Sequence, residues 1–183
     1  FDSLIKSFEL FSLKVKKSLI AEEQVKIKRN YTFSVTNEAD YRASNITLIN
    51  KGISFDLKTP DNFFTNVYVK VIGMHNLKNV LSALSVIDQI KEIEIKELLP
   101  FLSSLKGIER RMEIYTIDDK IIIDDYAHHP TEIDSVYDTI ITNFKNKSKA
   151  VIFQPHLFSR TRDFMDDFAL VLSKFDEVYL LDI

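Results

Sequence analysis

From Met112 onward, short apolar runs alternate with amphipathic stripes, and few folds accommodate that order. The runs "MEIYTI" and "IIIDDY" predict two strands joined by the turn "DDK", while "KAVIFQ" and "EVYLLD" predict two more. Strands that alternate with amphipathic helices predict β-α-β crossovers and a parallel sheet, so we assign an α/β fold. Pro130 fits the first turn of the first of these helices. The predicted stripes are Ile133, Val136, Tyr137, Ile140 and Phe144, then Phe164, Phe168, Val171, Leu172 and Phe175.

The preceding residues follow a different pattern, so we place a domain boundary near Arg111. Between Tyr31 and Ile72, β-formers cluster between turn signals such as "NKG" and "TPDN", which predicts a meander of antiparallel strands. Residues 14–30 mix charges without aromatic residues and predict a solvated connection or edge. At the boundary, Arg110 and Arg111 either bridge an anion or are simply solvated. The predicted helices carry Leu4, Ile5, Phe8, Phe11 and Val15, then Leu77, Val80, Leu81, Leu84 and Val86 or Ile87, with a short helix at 95–105.

Composition excludes several classes of protein. Lys and Arg total 24 and Asp and Glu total 27, so the net charge of −3 gives no general attraction to nucleic acid. The chain has no cysteine, which excludes disulfides and thiolate metal sites. No apolar run is long enough to span a membrane and the first residues lack the order of a signal peptide, so we expect a cytoplasmic protein. The absence of an initiator Met and the final apolar strand indicate an excerpt of a longer protein.

Polar clusters follow two of the predicted strands in the second region. Ligands bind at the carboxyl ends of strands in open α/β sheets. We therefore expect "DDYAHHP" and "QPHLFSRTRD" to be neighbours at one edge of the sheet. The four histidines of the chain, His75, His128, His129 and His156, all fall in strand-to-helix junctions. These junctions predict a ligand crevice.

The adjacent histidines His128 and His129 have three interpretations. One is helix capping by His129 or Asp125, with Thr131 and Glu132 favouring the first turn. Another is a metal site formed by His128, His129, Asp124 and His156. A metal site is disfavoured because adjacent side chains on an extended segment point in opposite directions. The third is acid–base or substrate contact by one histidine, with the other as its support.

Two arginines in the second cluster predict an anion site. Arg160 and Arg162 are placed at the start of a predicted helix, where a cation opposes the helix dipole and so indicates another role. A guanidinium beside a ligand crevice suits a carboxylate or phosphate through two parallel hydrogen bonds. The alternative for Arg162 is a surface ion pair with Asp163 or Asp166.

The segment "GMHN" opens the helix after the predicted meander. Gly73 is one of three glycines, and its place between strand and helix indicates a backbone requirement such as a tight turn. Asn76 and Asn79 share one helix face and suit an adenine edge, although Asn at a helix start is more often a cap. A phosphate loop of the GxxxxGKS or GxxxxGKT type is absent from all 183 residues.

Four segments in this order resemble the Mur ligase family: "GMHNLKN", "GIERRME", "IIDDYAHHPTEI" and "IFQPHLFSRTRDFMDDFALVLS". The resemblance spans nearly the whole chain and is weakest over residues 1–72. It implies that residues 1–110 are the C-terminal part of a central ATP-binding domain, with a β-meander and helices. Residues 111–183 are then the first part of a Rossmann-like C-terminal ligase domain. The UDP-substrate domain, phosphate loop and magnesium ligands are expected in segments of the enzyme outside this chain.

The resemblance also implies an activity and its residues. The activity is ADP-forming addition of L-alanine to UDP-N-acetylmuramate through an acyl phosphate, in peptidoglycan precursor synthesis, with ATP and Mg²⁺ as cofactors and no nucleic acid or membrane partner. The implied nucleotide contacts are His75, Asn76, Asn79, Arg111 and Asp125. The implied alanine contacts are Tyr126, His128 and Arg160. Arg111 and His128 are the implied catalytic residues, and His129 and His156 are implied supports.

Other functions stay open at this point. The chain lacks a phosphate loop, so we expect it to be inactive on its own. One alternative is a binding module for a nucleotide or an amino acid, without turnover, and another is a murein-peptide ligase. Leu157 follows "QPH" where the family often has Arg, so the contact of that Arg is in doubt.

Overall fold

The computed structural model describes residues 2–49 and 52–182. The chain divides into two compact units, residues 1–106 and 107–183. The boundary predicted near Arg111 lies a few residues after this division. No helix of the described residues is both long and apolar enough to cross a membrane.

The first unit contains a five-stranded mixed sheet. Its elements are α1 (Asp2–Lys14), β1 (Ile20–Glu22), β2 (Tyr31–Ser34), β3 (Tyr41–Ile49), β4 (Gly52–Lys58), β5 (Phe63–Val69), α2 (Met74–Ile90) and α3 (Ile95–Leu98), followed by a 3-10 turn (Leu99–Ser104). The strands lie in the order β1-β2-β3-β4-β5. The predicted turn "NKG" includes Asn50 and Lys51, which lie outside the described residues.

The strand directions correct part of the predicted meander. β3, β4 and β5 pair antiparallel as predicted, but β2, which was also predicted in the meander, is parallel to β3. The edge strand β1, which precedes the predicted meander, is parallel to β2. The connection between β2 and β3 explains the difference, because the Asp40 carboxylate accepts hydrogen bonds of 2.8 Å from the backbone and the hydroxyl of Thr32. The chain thus returns past β2 before it enters β3 in the same direction. Residues 14–30, predicted as a connection or edge, supply the edge strand β1.

Helix α2 packs on this sheet with the apolar stripe that the sequence predicts. Leu77, Leu81 and Leu84 are buried in the core of the first unit, and each fully buried Leu contributes about 1.5–3 kcal/mol. Of the two alternatives for the last position, Ile87 is half-buried and Val86 is exposed. The helix starts after Gly73, whose φ of 92° confirms the predicted backbone requirement for glycine.

Helix α1 is present as predicted, but its apolar face is exposed. Leu4, Ile5, Phe8 and Phe11 are each between 46% and 56% exposed, and Val15 is half-buried. The periodicity therefore predicts the helix correctly. A periodic stripe alone does not show whether another element covers it.

Tyr41 on β3 connects the sheet to α2 through its hydroxyl. The side chain is fully buried, donates to Asp88 Oδ2 at 2.6 Å and accepts from Gln89 Nε2 at 2.7 Å. Burial, together with the hydrogen bond to Asp88, raises the pKa of Tyr41 far above its usual value of 10.0. The stabilisation from the protonated hydroxyl is thus complete below about pH 10 and is lost as the pH rises from there toward the raised folded pKa.

We expect Tyr41→Phe to lower the free energy of unfolding by about 1–3 kcal/mol at pH 7, because Asp88 and Gln89 lose a buried partner. Urea unfolding at pH values from 7 to about 11 measures this. Wild type should lose stability more steeply above about pH 10 than the variant, so the difference between them narrows. The control is Tyr179→Phe. The wild-type Tyr179 side chain is exposed, and its hydroxyl donates to Glu177. A constant difference between Tyr41→Phe and wild type across the pH range would contradict the prediction.

The second unit contains two small sheets with three helices. Its elements are β6 (Glu113–Ile117), β7 (Lys120–Asp124), α4 (Pro130–Asn143), β8 (Ala150–Phe153), α5 (Phe158–Asp163), α6 (Met165–Leu172) and β9 (Glu177–Leu180). β6 and β7 form an antiparallel hairpin, and β8 is parallel to β9 with α5 and α6 as the crossover. The predicted crossover is therefore confirmed. The hydrophobic core of the second unit comprises Ile133, Phe153, Phe168, Val171, Leu172 and Phe175.

Two predictions for the second unit are wrong in detail. Among the described residues, β7 pairs with β6 alone, so β7 does not belong to the parallel sheet with β8. The helix that was predicted to begin near Arg160 and to carry the stripe from Phe164 to Phe175 is instead divided, because Phe164 leaves the helical region with φ −122° and ψ 25°. The division separates α5 from α6. The Phe164 ring packs against the His129 ring.

Candidate active site

The Asp125 carboxylate holds the loop between β7 and α4. Its Oδ1 accepts from the backbone N–H of Ala127 at 2.8 Å, and its Oδ2 accepts from that of Met112 at 2.9 Å. The second bond ties the loop to a segment in which Arg110 and Met112 have φ values of 56° and 50°. Left-handed backbone costs a residue with a β-carbon about 1–2 kcal/mol. Asp125 therefore stabilises strained backbone. The sequence analysis assigned it only a ribose contact or a helix cap and did not predict this structural role.

Tyr126 is positioned by Arg110. The Tyr126 N–H donates to the Arg110 carbonyl at 2.8 Å, and the Arg110 guanidinium lies 5.0 Å from the centre of the Tyr126 ring. The same guanidinium lies 3.8 Å from an Asp124 oxygen. Arg110 is thus engaged within the second unit, whereas the side chain of Arg111 is exposed. The Tyr126 ring is itself 46% exposed, so a ligand can reach it.

His128 presents a defined nitrogen. Its Nδ1 lies 2.8 Å from the Tyr126 carbonyl, which can only accept, so Nδ1 carries the proton. In the neutral ring the lone pair is then on Nε2. The ring also meets the Tyr126 ring edge-on at 5.0 Å. His128 can therefore accept a proton or a hydrogen bond through Nε2.

His129 caps helix α4, which confirms the capping interpretation for this residue. Its Nδ1 lies 2.9 Å from Thr131 Oγ1 and 3.4 Å from the Thr131 N–H. Because an N–H only donates, Nδ1 of His129 carries no proton and the neutral ring is protonated on Nε2. The two adjacent histidines thus have opposite tautomers. Asp125, the other predicted cap, instead binds Met112 and Ala127.

The four-residue metal site that the sequence disfavours is not formed among the described residues. Among the described residues, no group of three or more His, Asp or Glu side chains is arranged to hold a metal ion. The Nδ1 atoms of His128 and His129 are instead bound to the carbonyl of Tyr126 and the side chain of Thr131. His156 is exposed.

Arg160 and Arg162 have different environments. Arg162 is 78% exposed and pairs with Asp163 at 2.9 Å, which confirms the surface ion pair. Arg160 is half-buried, and its Nη1 is buried with no hydrogen-bond partner among the described residues. The predicted conflict with a helix dipole is wrong, because the division at Phe164 leaves both arginines in the last turn of the six-residue α5. Leu157, which precedes α5, has a φ of 75°.

The loop between β7 and α4 contacts the junction between α5 and α6 through an aromatic pair. The His129 ring lies 4.7 Å from the Phe164 ring, and the Phe164 N–H donates to the Arg160 carbonyl at 3.0 Å. The first cluster thus contacts Phe164, the residue that directly follows the second cluster in the chain, and the proximity of the two clusters themselves stays a prediction. The sequence interpretation did not include Phe164 in the site.

The candidate nucleotide residues of the first unit surround the start of α2. The side-chain amide of Asn76 donates to the Ile72 carbonyl at 2.8 Å, across the turn at Gly73. His75 is half-buried and Asn79 is exposed. Asn76 therefore stabilises the turn while its amide oxygen is still able to accept from a ligand.

Glu132 is a further residue that the sequence interpretation assigned only to helix capping. Its Oε2 accepts from the backbone N–H groups of His128 at 2.9 Å and His129 at 3.2 Å. The sequence contains the signal, since an acid three residues after a capping position is the pattern of a capping box.

The architecture is shared with solved α/β ligases. UDP-N-acetylmuramate–alanine ligase from Thermotoga maritima matches 98% of this chain and 46% of its own with a TM-score of 0.71 at 23% identity. MurF from Acinetobacter baumannii matches 98% of this chain and 42% of its own with a TM-score of 0.76 at 16% identity. These likenesses define the class of fold, an α/β fold that the chain shares with these proteins.

Sequence comparison identifies the family within that class. The model of the Mur ligase middle domain matches residues 11–87, and the model of the Mur ligase glutamate ligase domain matches residues 110–182. The chain belongs to the Mur ligase family.

Relatives with sequence similarity are substantially longer than this chain. It is 41% identical over 184 residues to UDP-N-acetylmuramate–L-alanine ligase of Christiangramia forsetii, and 38% identical over 189 residues to the corresponding ligase of Ligilactobacillus salivarius. The alignments cover 98% and 100% of this chain but only 40% and 42% of those relatives. The chain thus spans about two fifths of the length of these relatives.

Proposed function

We propose that this chain is part of a cytoplasmic ligase that uses ATP to join L-alanine to UDP-N-acetylmuramate, releasing ADP and phosphate. The observation that carries the proposal is the buried Arg160 Nη1, which has no hydrogen-bond partner among the described residues. A buried guanidinium nitrogen without a partner is costly unless a ligand supplies an acceptor. The names of the relatives support L-alanine as the source of that acceptor.

In the proposed site, Arg160 pairs with the alanine carboxylate. Guanidinium and carboxylate groups match in two parallel hydrogen bonds, which also orient the amine of the amino acid. Tyr126 contacts the amino acid through its exposed ring. His128 offers the Nε2 lone pair to the alanine ammonium, which must lose a proton before it can attack.

The proposed reaction has two steps. The muramate carboxylate attacks the γ-phosphate of ATP to form an acyl phosphate, and the alanine amine then displaces phosphate to form the amide. His75, Asn76 and Asn79 are proposed to border the adenine, Asp125 to contact the ribose and Arg111 to bind the phosphates. Mg²⁺, when bound, offsets phosphate charge. Its ligands are proposed to lie in segments of the ligase outside this chain, as the family resemblance implies.

The domain assignment is part of the same proposal. Residues 1–110 are assigned to the central ATP-binding domain and residues 111–183 to the Rossmann-like C-terminal domain. The family models, which match residues 11–87 and 110–182, support this division. The segments that complete the proposed site belong to the remaining length of the enzyme.

We expect the 183-residue chain on its own to release no phosphate from ATP in the presence of L-alanine and UDP-N-acetylmuramate. Its sequence contains no phosphate loop to hold the nucleotide. The assay is phosphate release, with the full-length ligase that contains this chain as the positive control. Turnover by the chain alone would contradict its proposed inactivity, and failure of the full-length protein to use L-alanine would overturn the proposed function.

Calorimetry separates the ligase from a binding module. A site shared between segments should bind weakly when the segments are separated, since the missing groups no longer orient the ligand. We therefore expect dissociation constants above about 1 mM for L-alanine and ADP with the isolated chain, which corresponds to about −4 kcal/mol. Micromolar binding of either compound would favour a self-sufficient module.

A further inference from the structure

We propose that His129 is a positioning residue that couples the β7–α4 loop (residues 125–129) to helix α5, and so sets His128 relative to Arg160. This inference rests on the proposed function for its consequence, since His128 and Arg160 are the proposed amino-acid contacts. The coupling itself is a statement about contacts within the second unit. In this proposal the Nδ1 atom of His129 fixes the start of α4, and the ring of His129 contacts Phe164.

The first task uses the ring nitrogen of His129. Nδ1 accepts from Thr131, with 2.9 Å to Oγ1 and 3.4 Å to the N–H, and so fixes the start of α4. The Glu132 carboxylate accepts from the N–H groups of His128 and His129 at 2.9 and 3.2 Å. Together these bonds fix the backbone on which the His128 ring is carried.

The second task uses the ring as an apolar surface. It packs edge-on against Phe164 with 4.7 Å between ring centres. Phe164 is the residue at which α5 ends, and its N–H donates to the carbonyl of Arg160 at 3.0 Å. Displacement of Phe164 should therefore disturb the last turn of α5, where Arg160 lies.

A histidine can both accept a hydrogen bond at the helix start and pack a ring against Phe164. Asn and Ser accept from helix amides but present no ring, and Phe presents a ring but accepts nothing. The two histidines have opposite tautomers because Nδ1 of His128 faces the Tyr126 carbonyl, whereas Nδ1 of His129 accepts from Thr131. Nδ1 is protonated in His128 and unprotonated in His129.

Two variants of the 183-residue chain test the coupling by amide hydrogen exchange. His129→Asn keeps a capping acceptor and removes the ring, so exchange of the Phe164 amide should rise about threefold to tenfold, while that of Thr131 stays within about twofold. His129→Phe keeps the ring and removes the acceptor. Exchange of the Thr131 amide should then rise about fivefold with that of Phe164 nearly unchanged.

A spectroscopic measurement accompanies the exchange experiment. Imidazole nitrogen shifts of the wild-type chain should show a protonated Nδ1 in His128 and an unprotonated Nδ1 in His129. Unchanged Phe164 exchange in His129→Asn, or equal acceleration at both amides in both variants, would overturn the coupling. The same tautomer in both histidines would overturn the capping role.

The consequence for substrate binding is tested separately in the full-length ligase. His129→Asn should raise KM for L-alanine about threefold to tenfold and leave KM for ATP unchanged. If the exchange pattern holds but the ligase does not use L-alanine, the proposed function fails and the coupling stands. If L-alanine is used but the exchange pattern fails, the coupling is wrong and the function stands.

Discussion

Replacement of Arg160 by alanine in the full-length ligase is expected to raise KM for L-alanine about 100-fold or more, with little change in KM for ATP. Loss of one partner of a desolvated charge pair costs about 2–5 kcal/mol, part of which is the cost of leaving the other charge unpaired. Because Arg160 Nη1 is buried, we expect its pairing with the alanine carboxylate to cost about 2–5 kcal/mol when lost, more than the loss of an exposed ion pair. Steady-state kinetics with each substrate varied in turn measures the effect.

Arg162→Ala is the matched control for this experiment. It removes the same kind of side chain from the same short helix, but one that is 78% exposed and already paired with Asp163. We expect its KM for L-alanine to stay within about twofold of wild type, since exposed pairs contribute little. Arg160→Lys should lie between the two, because it keeps the charge and loses the bidentate geometry. Equal increases in KM for alanine and ATP in Arg160→Ala would assign Arg160 a structural or nucleotide role instead.

The elements that depend on local patterns could be predicted from the sequence. The stripe of α2, the hairpin of β6 and β7, the position of Pro130 in α4 and the crossover between β8 and β9 all follow from periodicity and turn residues. The direction of β2 relative to β3 does not, because it depends on hydrogen bonds of Asp40 to Thr32 across the connection. Pairing between distant segments is not encoded in the spacing of either one.

The candidate site shows the same limit. The family resemblance identified Arg160, His128 and Tyr126 as alanine contacts, but the spacing of the two arginines alone gave no physical reason to separate Arg160 from Arg162. Burial of one guanidinium nitrogen of Arg160 and exposure of the Arg162 side chain make that separation. The stripe placed Phe164 in the core of a continuous helix, whereas its ring packs on His129. This contact between the β7–α4 loop and the α5–α6 junction is visible only in the folded chain.

Asp125→Ala is expected to destabilise the second unit by about 2–4 kcal/mol, because two backbone N–H groups lose a charged acceptor. One of these, on the buried Met112, belongs to backbone with a φ of 50°, so the strained conformation loses a bond that holds it. Amide hydrogen exchange at Met112 and Ala127 measures the local loss of protection. Urea unfolding measures the free energy of unfolding of the second unit. The loop that carries Tyr126 and His128 should loosen with it.

Asp124→Ala provides the control, since Asp124 is the adjacent carboxylate and its contact with Arg110 is 3.8 Å long on partly exposed side chains. We expect a cost below about 1 kcal/mol for this variant. Asp125→Asn should be intermediate, because the amide keeps one acceptor oxygen and loses the other. If Asp125→Ala unfolds like wild type and raises only KM for ATP in the full-length ligase, Asp125 acts through the ribose alone. A combined loss of stability, alanine affinity and ATP affinity is the result expected of a carboxylate that holds the loop and contacts the nucleotide.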